Sequence, residues 1–141
     1  MLDGALISHT LDLAAERSDD PTPLVYARLF AAHPDMEALF VRDTDGSVRG
    51  EMLTRVFEMI LDFVDRRAYG AQLIQCEVVT HDGYGVPPSV FGAFFDSVAD
   101  TVRDLIGADW TPAMQAAWTA LLKDLNWYAD NPDQMVPVAV G

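Results

Sequence analysis

The sequence predicts an all-α fold of about seven helical segments. Apolar residues recur at the three- and four-residue spacing of amphipathic helices along almost the whole chain. Proline, glycine and short polar clusters interrupt this spacing where one helix would end and the next begin. No two alternating apolar segments are joined by a hairpin turn, so we expect no β-sheet. In chain order, the predicted segments are 2–17, 22–33, the short apolar turn 36–40, 48–67, 73–81, 89–106 and 112–130.

Local signals delimit the first two helices. The polar cluster Ser18–Pro21 is expected to end the first of them. Thr22 before Pro23 predicts a cap followed by proline in the first turn of the second helix. That helix is expected to stop at His33, because a residue that precedes proline, here Pro34, avoids helical backbone angles.

The segment 48–67 is strongly amphipathic. It follows the polar stretch 42–47, in which Asp45 and Gly46 predict a loop. The apolar stripe that would face a core consists of Leu53, Val56, Phe57, Ile60 and Val64.

Glycine and proline also delimit the C-terminal segments. We expect Gly70 to separate two helices and the turn Asp82–Gly85 to end the second of these. Gly107 is expected to stop the next helix, and Thr111 before a proline predicts the cap of the last one. Beyond it, residues 134–141 are expected to form a flexible tail.

Composition limits the function classes. The 141 residues include 22 Asp plus Glu against 9 Lys plus Arg, and the formal net charge is −13. A nucleic-acid binder needs a basic face, and anionic membranes attract basic rather than acidic surfaces. No segment has the roughly 18 consecutive apolar residues of a membrane span. We therefore expect one folded acidic domain, over 1–133, that binds neither nucleic acid nor membrane.

The cysteine usage and the N-terminus favour the cytoplasm. Cys76 is the single cysteine, so no internal disulfide forms, and we expect its side chain to be buried. No signal peptide is expected, because residues 1–17 contain Asp3, Asp12 and Glu16 and lack a basic start.

Motifs for side-chain catalysis are sparse. The three histidines, His9, His33 and His81, lack the close spacing of a metal-binding pair, and no glycine-rich phosphate loop occurs. His81, directly before the glycine turn, is the most suggestive polar residue. A lone histidine is more often structural than a ligand, so the residues alone leave both roles of His81 open.

Three motifs, in order, resemble the globin family. Residues 26–40 read YARLFAAHPDMEALF and resemble the B–C helix segment of single-domain bacterial haemoglobins, neuroglobins and the globin domain of flavohaemoglobins. Residues 81–86, HDGYGV, resemble the end of the F helix and the corner after it, and residues 107–112, GADWTP, the turn into the H helix. The resemblance extends over about 21–128. It implies a globin-like fold around a pocket for haem b, which is iron protoporphyrin IX.

The resemblance also implies roles for individual residues. His81 falls on the proximal position, where a neutral imidazole binds the haem iron. Phe40 would pack on the porphyrin face, and Tyr84 and Val86 in the corner after His81 would contact the haem. Tyr26 falls on the distal side, where its hydroxyl could donate a hydrogen bond to bound dioxygen. Without haem, Tyr26 and Phe40 would be ordinary core residues.

The helix over 48–67 matches the family in two registers. In the preferred register, Arg49 is the distal residue and Leu53 lies one turn further on. This register is preferred because Gly50 would let the helix approach the haem. In the alternative register, Arg55 and Met59 take these positions. In either register, an arginine replaces the common distal histidine or glutamine. The alternative interpretation is that this arginine lies on the surface and is solvated.

Two residues depart from the family pattern. Glu77 lies one helical turn before His81, where globins usually have an apolar residue. Phe91 stands where flavohaemoglobins carry a tyrosine that tunes the proximal histidine, and its presence disfavours peroxidase-like chemistry.

The leading expectation is a bacterial globin that binds dioxygen or another diatomic gas reversibly. An enzymatic alternative is nitric oxide oxidation by dioxygen with a separate reductase, in the same pocket. A haem-less or sensor globin is a third hypothesis, for which Glu77 is the main argument. Monomer and homodimer both stay open.

Overall fold

The computed structural model describes residues 3–65 and 68–133. These residues form six α-helices and two short 3-10 helices, joined by short loops. The α-helices are α1 (Gly4–Arg17), α2 (Thr22–Ala32), α3 (Ser47–Asp65), α4 (Ala68–Asp82), α5 (Pro88–Ile106) and α6 (Pro112–Asp130). The 3-10 helices are Pro34–Phe40 and Gly107–Asp109. No strand occurs within the described ranges. The all-α prediction is therefore confirmed.

Capping side chains set the helix starts, with one difference from prediction. The Thr111 hydroxyl caps α6 as predicted and accepts a hydrogen bond from the N–H of Met114 at 3.1 Å. At α2, Thr22 is the first helical residue, and its N–H donates to the Asp20 carboxylate at 3.0 Å. The N-cap position is therefore Pro21 and not Thr22, and the Asp20 carboxylate satisfies the first free N–H of the helix.

The main core lies where α5 packs against α1 and α6, with α3 and α4 closing it. Trp118 is fully buried there, and its indole N–H donates to the Thr10 hydroxyl at 2.9 Å. The same hydroxyl donates to the carbonyl of Ile7 at 2.6 Å. Because both polar groups are satisfied, the core holds them without the cost of an unpaired buried group.

A second apolar cluster lies beside the main core. Its buried members are Tyr26, Leu29, Met36 and Val90. It brings together α2, the 3-10 helix Pro34–Phe40 and the start of α5. This cluster positions the side chains of the candidate site.

Gly70 lies inside α4, which corrects the predicted start of this helix. A Cβ at Gly70 would lie 2.8 Å from the main-chain O of Met59 and 3.0 Å from the Cβ of Phe63. The N–H of Gly70 donates to the Asp62 carboxylate at 2.8 Å. The glycine therefore permits the close approach of α4 to α3 and does not separate two helices.

Gly70→Ala is expected to destabilise the fold although alanine is the better helix former. Contact with the main chain of Met59 would force α3 and α4 apart at a cost of roughly 1–3 kcal/mol. This exceeds the gain in helix propensity, about 1 kcal/mol. Urea denaturation of the purified protein measures the change.

Gly50→Ala is the matched control for this prediction. A Cβ at Gly50 would meet only the Thr22 hydroxyl, at 3.8 Å. We expect this variant to be more stable than the parent by up to about 1 kcal/mol. Equal stabilities of the two alanine variants would contradict the close packing at Gly70.

Cys76 is exposed, so the expectation that it is buried is wrong. The buried face of α4 carries Ile74, Gln75 and Val78 instead. Gln75 can be buried because its side-chain amide donates to the carbonyl of Asn131 at 2.9 Å.

Some sequence predictions lie outside the described residues. These are the flexible tail over 134–141 and the predicted helix ends at residues 2 and 67. Within the described part of the chain, no helix has the length and apolar character that a membrane crossing requires.

Candidate functional site

A cavity of about 450 Å³ opens between α2, the 3-10 helix Pro34–Phe40, α3, α4 and α5. Its volume falls in the range of about 300–1,000 Å³ that is typical of small-molecule and cofactor sites. Most described lining residues are apolar. The polar or charged ones are Tyr26, Arg55, Glu58, Glu77 and His81. An apolar wall with few polar groups suits a large apolar cofactor.

His81 lines this cavity from the last turn of α4. Its Nδ1 lies 2.8 Å from the main-chain O of Glu77. When Nδ1 carries the proton and donates it to this carbonyl, Nε2 keeps its lone pair. Nε2 has no partner among the described residues. The arrangement matches that of metal-ligating histidines, whose second nitrogen is oriented by an acceptor.

The glycine turn after α4 holds the end of the helix in place. The N–H groups of Tyr84 and Val86 both donate to the carbonyl of His81, at 2.9 and 3.0 Å. Gly85 has φ +82°, which favours glycine. Val86 lines the cavity as the resemblance implies, but Tyr84 does not and is 73% exposed. The turn directs Tyr84 to solvent, which corrects its assignment as a cofactor contact.

Tyr26 is buried in α2 and lines the same cavity. Its ring packs against those of Phe30, Phe40 and Phe94, with centroid distances of 5.4–5.7 Å. Among the described residues, the Tyr26 hydroxyl has no hydrogen-bond partner. Burial raises the pKa of Tyr26, so the hydroxyl stays protonated. Tyr26 is thus a buried donor for a polar ligand in the cavity.

Phe40 also lies in the cavity wall, at the end of its 3-10 helix. Its ring centroid is 5.4 Å from that of Tyr26 and 5.6 Å from that of Phe30. These tilted and edge-to-face contacts hold the Phe40 ring in place in the apolar wall. His81, Tyr26, Phe40 and Val86 are therefore brought together around one cavity.

The cavity wall supports the alternative register of α3. Arg55 and Met59 line the cavity, whereas Arg49 and Leu53 do not. Leu53 is buried in the main core. The Gly50 argument also fails, because a Cβ there would meet only a hydroxyl of α2 at 3.8 Å. The lining of the cavity therefore favours the register with Arg55 and Met59 over the one with Arg49 and Leu53.

Hydrogen bonds to Asp43 account for the position of Arg49 outside the cavity wall. The Asp43 carboxylate accepts hydrogen bonds from the N–H groups of Val48 and Arg49 and from Nε of Arg49, each at 3.0 Å. A second guanidinium nitrogen of Arg49 donates to the carbonyl of Asp43 at 2.8 Å. Desolvation alone would raise the pKa of Asp43, but these hydrogen bonds outweigh it and lower that pKa. Arg49 thus stays with the start of α3, although its charge still lowers the pKa of Tyr26 slightly against burial.

Sequence reasoning missed part of the wall. Met52, Glu58, Leu73 and Ile74 line the cavity without having been assigned to it. On α3, the positions 52, 55, 56 and 59 follow the spacing of one helical face. That spacing is the sequence signal that identifies the cavity side of α3.

Comparison with known proteins agrees with this geometry. The sequence model of the Globin family matches residues 24–127, which is most of the chain and includes every element of the cavity wall. Among curated proteins, none matches the chain. On the extent of the family match, the chain belongs to the globin family.

Proposed function

We propose that this chain binds haem b through His81 and holds a diatomic gas, dioxygen first among them, reversibly beside Tyr26. Membership of the globin family implies haem and gas binding. The observation that carries the finer proposal is one cavity lined by both an imidazole with an unpartnered Nε2 and a buried, unpartnered hydroxyl. We propose a single domain over 1–133 that acts in the bacterial cytoplasm.

The residues of the cavity fit a haem group. A porphyrin needs a broad apolar surface, which Phe40, Val86 and Met59 help to provide. The iron needs one good axial donor, and Nε2 of His81 meets this requirement. Among the described lining residues, Arg55 is the one permanent cation, so it is the candidate partner for a propionate or for an anionic ligand.

Each chain residue then has a separate task. When bound, the haem iron supplies the atom to which a diatomic gas attaches. The carbonyl of Glu77 orients His81, the apolar wall excludes water, and the Tyr26 hydroxyl donates a hydrogen bond to a polar gas molecule. Dioxygen, which is nonpolar when free, gains negative character when it is bound, so it would gain more from such a donor than a gas that stays weakly polar.

Titration of the purified protein with haemin tests the proposal. We expect a Soret band that saturates at one haemin per chain and survives gel filtration. After reduction, the spectrum should change on exposure to dioxygen and return when the gas is removed. If no haemin is retained, the proposal is wrong and a haem-less role takes its place.

Arg55→Leu is expected to weaken azide binding to the ferric haem protein on the order of fivefold. Its guanidinium is 66% exposed and pairs with Glu51 at 3.1 Å, so its contribution to an anionic ligand is about 1 kcal/mol. Optical titration with azide measures the effect. A larger loss of azide affinity in Arg49→Leu than in Arg55→Leu would contradict this prediction and favour the register in which Arg49 is the distal residue.

A further inference from the structure

We propose that Glu77 is a positioning residue that acts on the haem iron through His81. Its carboxylate lies against Nδ1 of His81, and its negative charge makes Nε2 a stronger electron donor, which favours ferric over ferrous iron. This inference rests on the proposed haem function.

The contact between the two side chains is direct. Oε2 of Glu77 lies 3.3 Å from Nδ1 of His81, and the main-chain O of Glu77 lies 2.8 Å from the same nitrogen. Both side chains are partly shielded from solvent, with exposed fractions of 26% for His81 and 40% for Glu77. The imidazole nitrogen that hydrogen-bonds to the carbonyl therefore also lies within ion-pair distance of the carboxylate.

Phe91 limits the rotation of the imidazole. Its ring lies edge-on to that of His81, with the centroids 5.4 Å apart and the planes at 88°. Phe91 has no hydroxyl, so it cannot compete with Glu77 as an acceptor for Nδ1. The ring of His81 is thus held with Nδ1 on the side of Glu77.

The carbonyl and the carboxylate have different effects. The main-chain carbonyl of residue 77 accounts for the orientation of the His81 ring. Any residue at this position of the helix supplies that carbonyl, whatever its side chain is. The carboxylate adds a negative charge, and carboxylate partners raise the donor strength of metal-bound imidazoles. Hydrogen bonding at the axial ligand is one of the means by which proteins set the potential of haem iron. The additional effect is therefore assigned to the Glu77 side chain.

The surroundings of Glu77 support this role. Within the described part of the chain, Glu77 has no ion pair with lysine or arginine, and its one charged-group contact is with His81. It lines a cavity whose wall is mostly apolar, where a carboxylate costs more free energy than a leucine would. In such surroundings its field is also less screened than at an open surface.

Two substitutions separate the charge from the hydrogen bond. Glu77→Gln keeps the size of the side chain and an acceptor oxygen, and Glu77→Leu removes both properties. In the haem-loaded protein at a fixed applied potential, we expect the ferric-to-ferrous ratio to fall about tenfold in Glu77→Gln, which corresponds to 59 mV for a one-electron couple. The fall should be at least as large in Glu77→Leu. Spectroelectrochemistry measures the ratio, and resonance Raman should show a lower iron–histidine stretching frequency in both ferrous variants.

Glu58→Gln is the matched control, because it removes one carboxylate from the same cavity on α3 without touching His81. We expect a smaller change of potential and an unchanged iron–histidine frequency. An equal change in Glu58→Gln would mean that Glu77 acts only as a distant charge, and unchanged values in Glu77→Gln would mean that it does not act at all. Either result overturns the inference.

Failure of this inference can be told from failure of the proposed function. If His81→Ala retains haem as the parent does, the iron is not bound by His81 and both proposals are wrong. If His81→Ala loses haem while Glu77→Gln keeps the parent potential, only the role of Glu77 is wrong. In the haem-free protein, ¹⁵N NMR should find the proton of neutral His81 on Nδ1, and a proton on Nε2 would also overturn the inference.

Discussion

His81→Ala is expected to abolish stable haem binding. His81 carries the one imidazole in the described wall of the cavity, and under the proposed function its removal would leave the haem iron without its axial donor. The apolar wall could still attract haemin weakly. We therefore expect retention to fall at least a hundredfold, with the Soret band lost on gel filtration.

Two further measurements show whether the loss reflects iron ligation. Added imidazole should enter the space left by the His81 side chain and restore a Soret band close to that of the parent. His9→Ala removes an exposed histidine of α1 that lies outside the cavity, so it should retain haem fully. A Soret band in His81→Ala as strong and as lasting as in the parent would contradict the assignment.

The helix order could be predicted because its signals are local. The cap at Thr111 and the stop before Pro34 depend on neighbouring residues alone. The start of α4 could not be predicted in the same way. Gly70 is required by the main chain of Met59, which packs against it from another helix. A glycine in a sequence does not reveal whether a turn or a close contact requires it.

In the candidate site too, the residues that could be predicted depend on local sequence, and the others depend on contacts with other elements. His81, Tyr26, Phe40 and Val86 belong to short motifs and all line the cavity. Arg49 lies outside the cavity wall, where the Asp43 carboxylate in the loop before α3 accepts hydrogen bonds from its N–H and its guanidinium. The helical spacing of 52, 55, 56 and 59 is a local pattern, but tertiary packing decides that this face of α3, and not the one with Arg49 and Leu53, lines the cavity.

Cys76 shows the limit of hydrophobicity as a guide to burial. A small apolar side chain would be expected inside, yet α4 buries the polar Gln75 and exposes its neighbour Cys76. The decisive contact is the hydrogen bond from Gln75 to the carbonyl of Asn131. That residue is 56 positions away in the chain, so the face that α4 buries could not be inferred from its own sequence.

Tyr26→Phe is expected to accelerate dioxygen release and, at the same time, to stabilise the haem-free protein. In the gas-bound protein the hydroxyl contributes one hydrogen bond, and a hydrogen bond to a group with charge contributes about 1.5–3 kcal/mol. Its loss should therefore raise the release rate by a factor on the order of ten to a hundred. Laser photolysis or stopped-flow mixing with a dioxygen scavenger measures this rate.

The stabilising effect follows from the same hydroxyl in the haem-free state. There it is buried without a partner in the described ranges 3–65 and 68–133, and such a group costs roughly 1–3 kcal/mol. Phenylalanine keeps the ring contacts with Phe40 and Phe94, so the free energy of unfolding by urea should rise. Tyr84→Phe, which alters an exposed hydroxyl outside the cavity wall, should change neither quantity. If Tyr26→Phe left dioxygen release unchanged while raising stability, the hydroxyl would be no more than a packing defect. Opposite changes in stability and gas retention would instead be the signature of a functional donor.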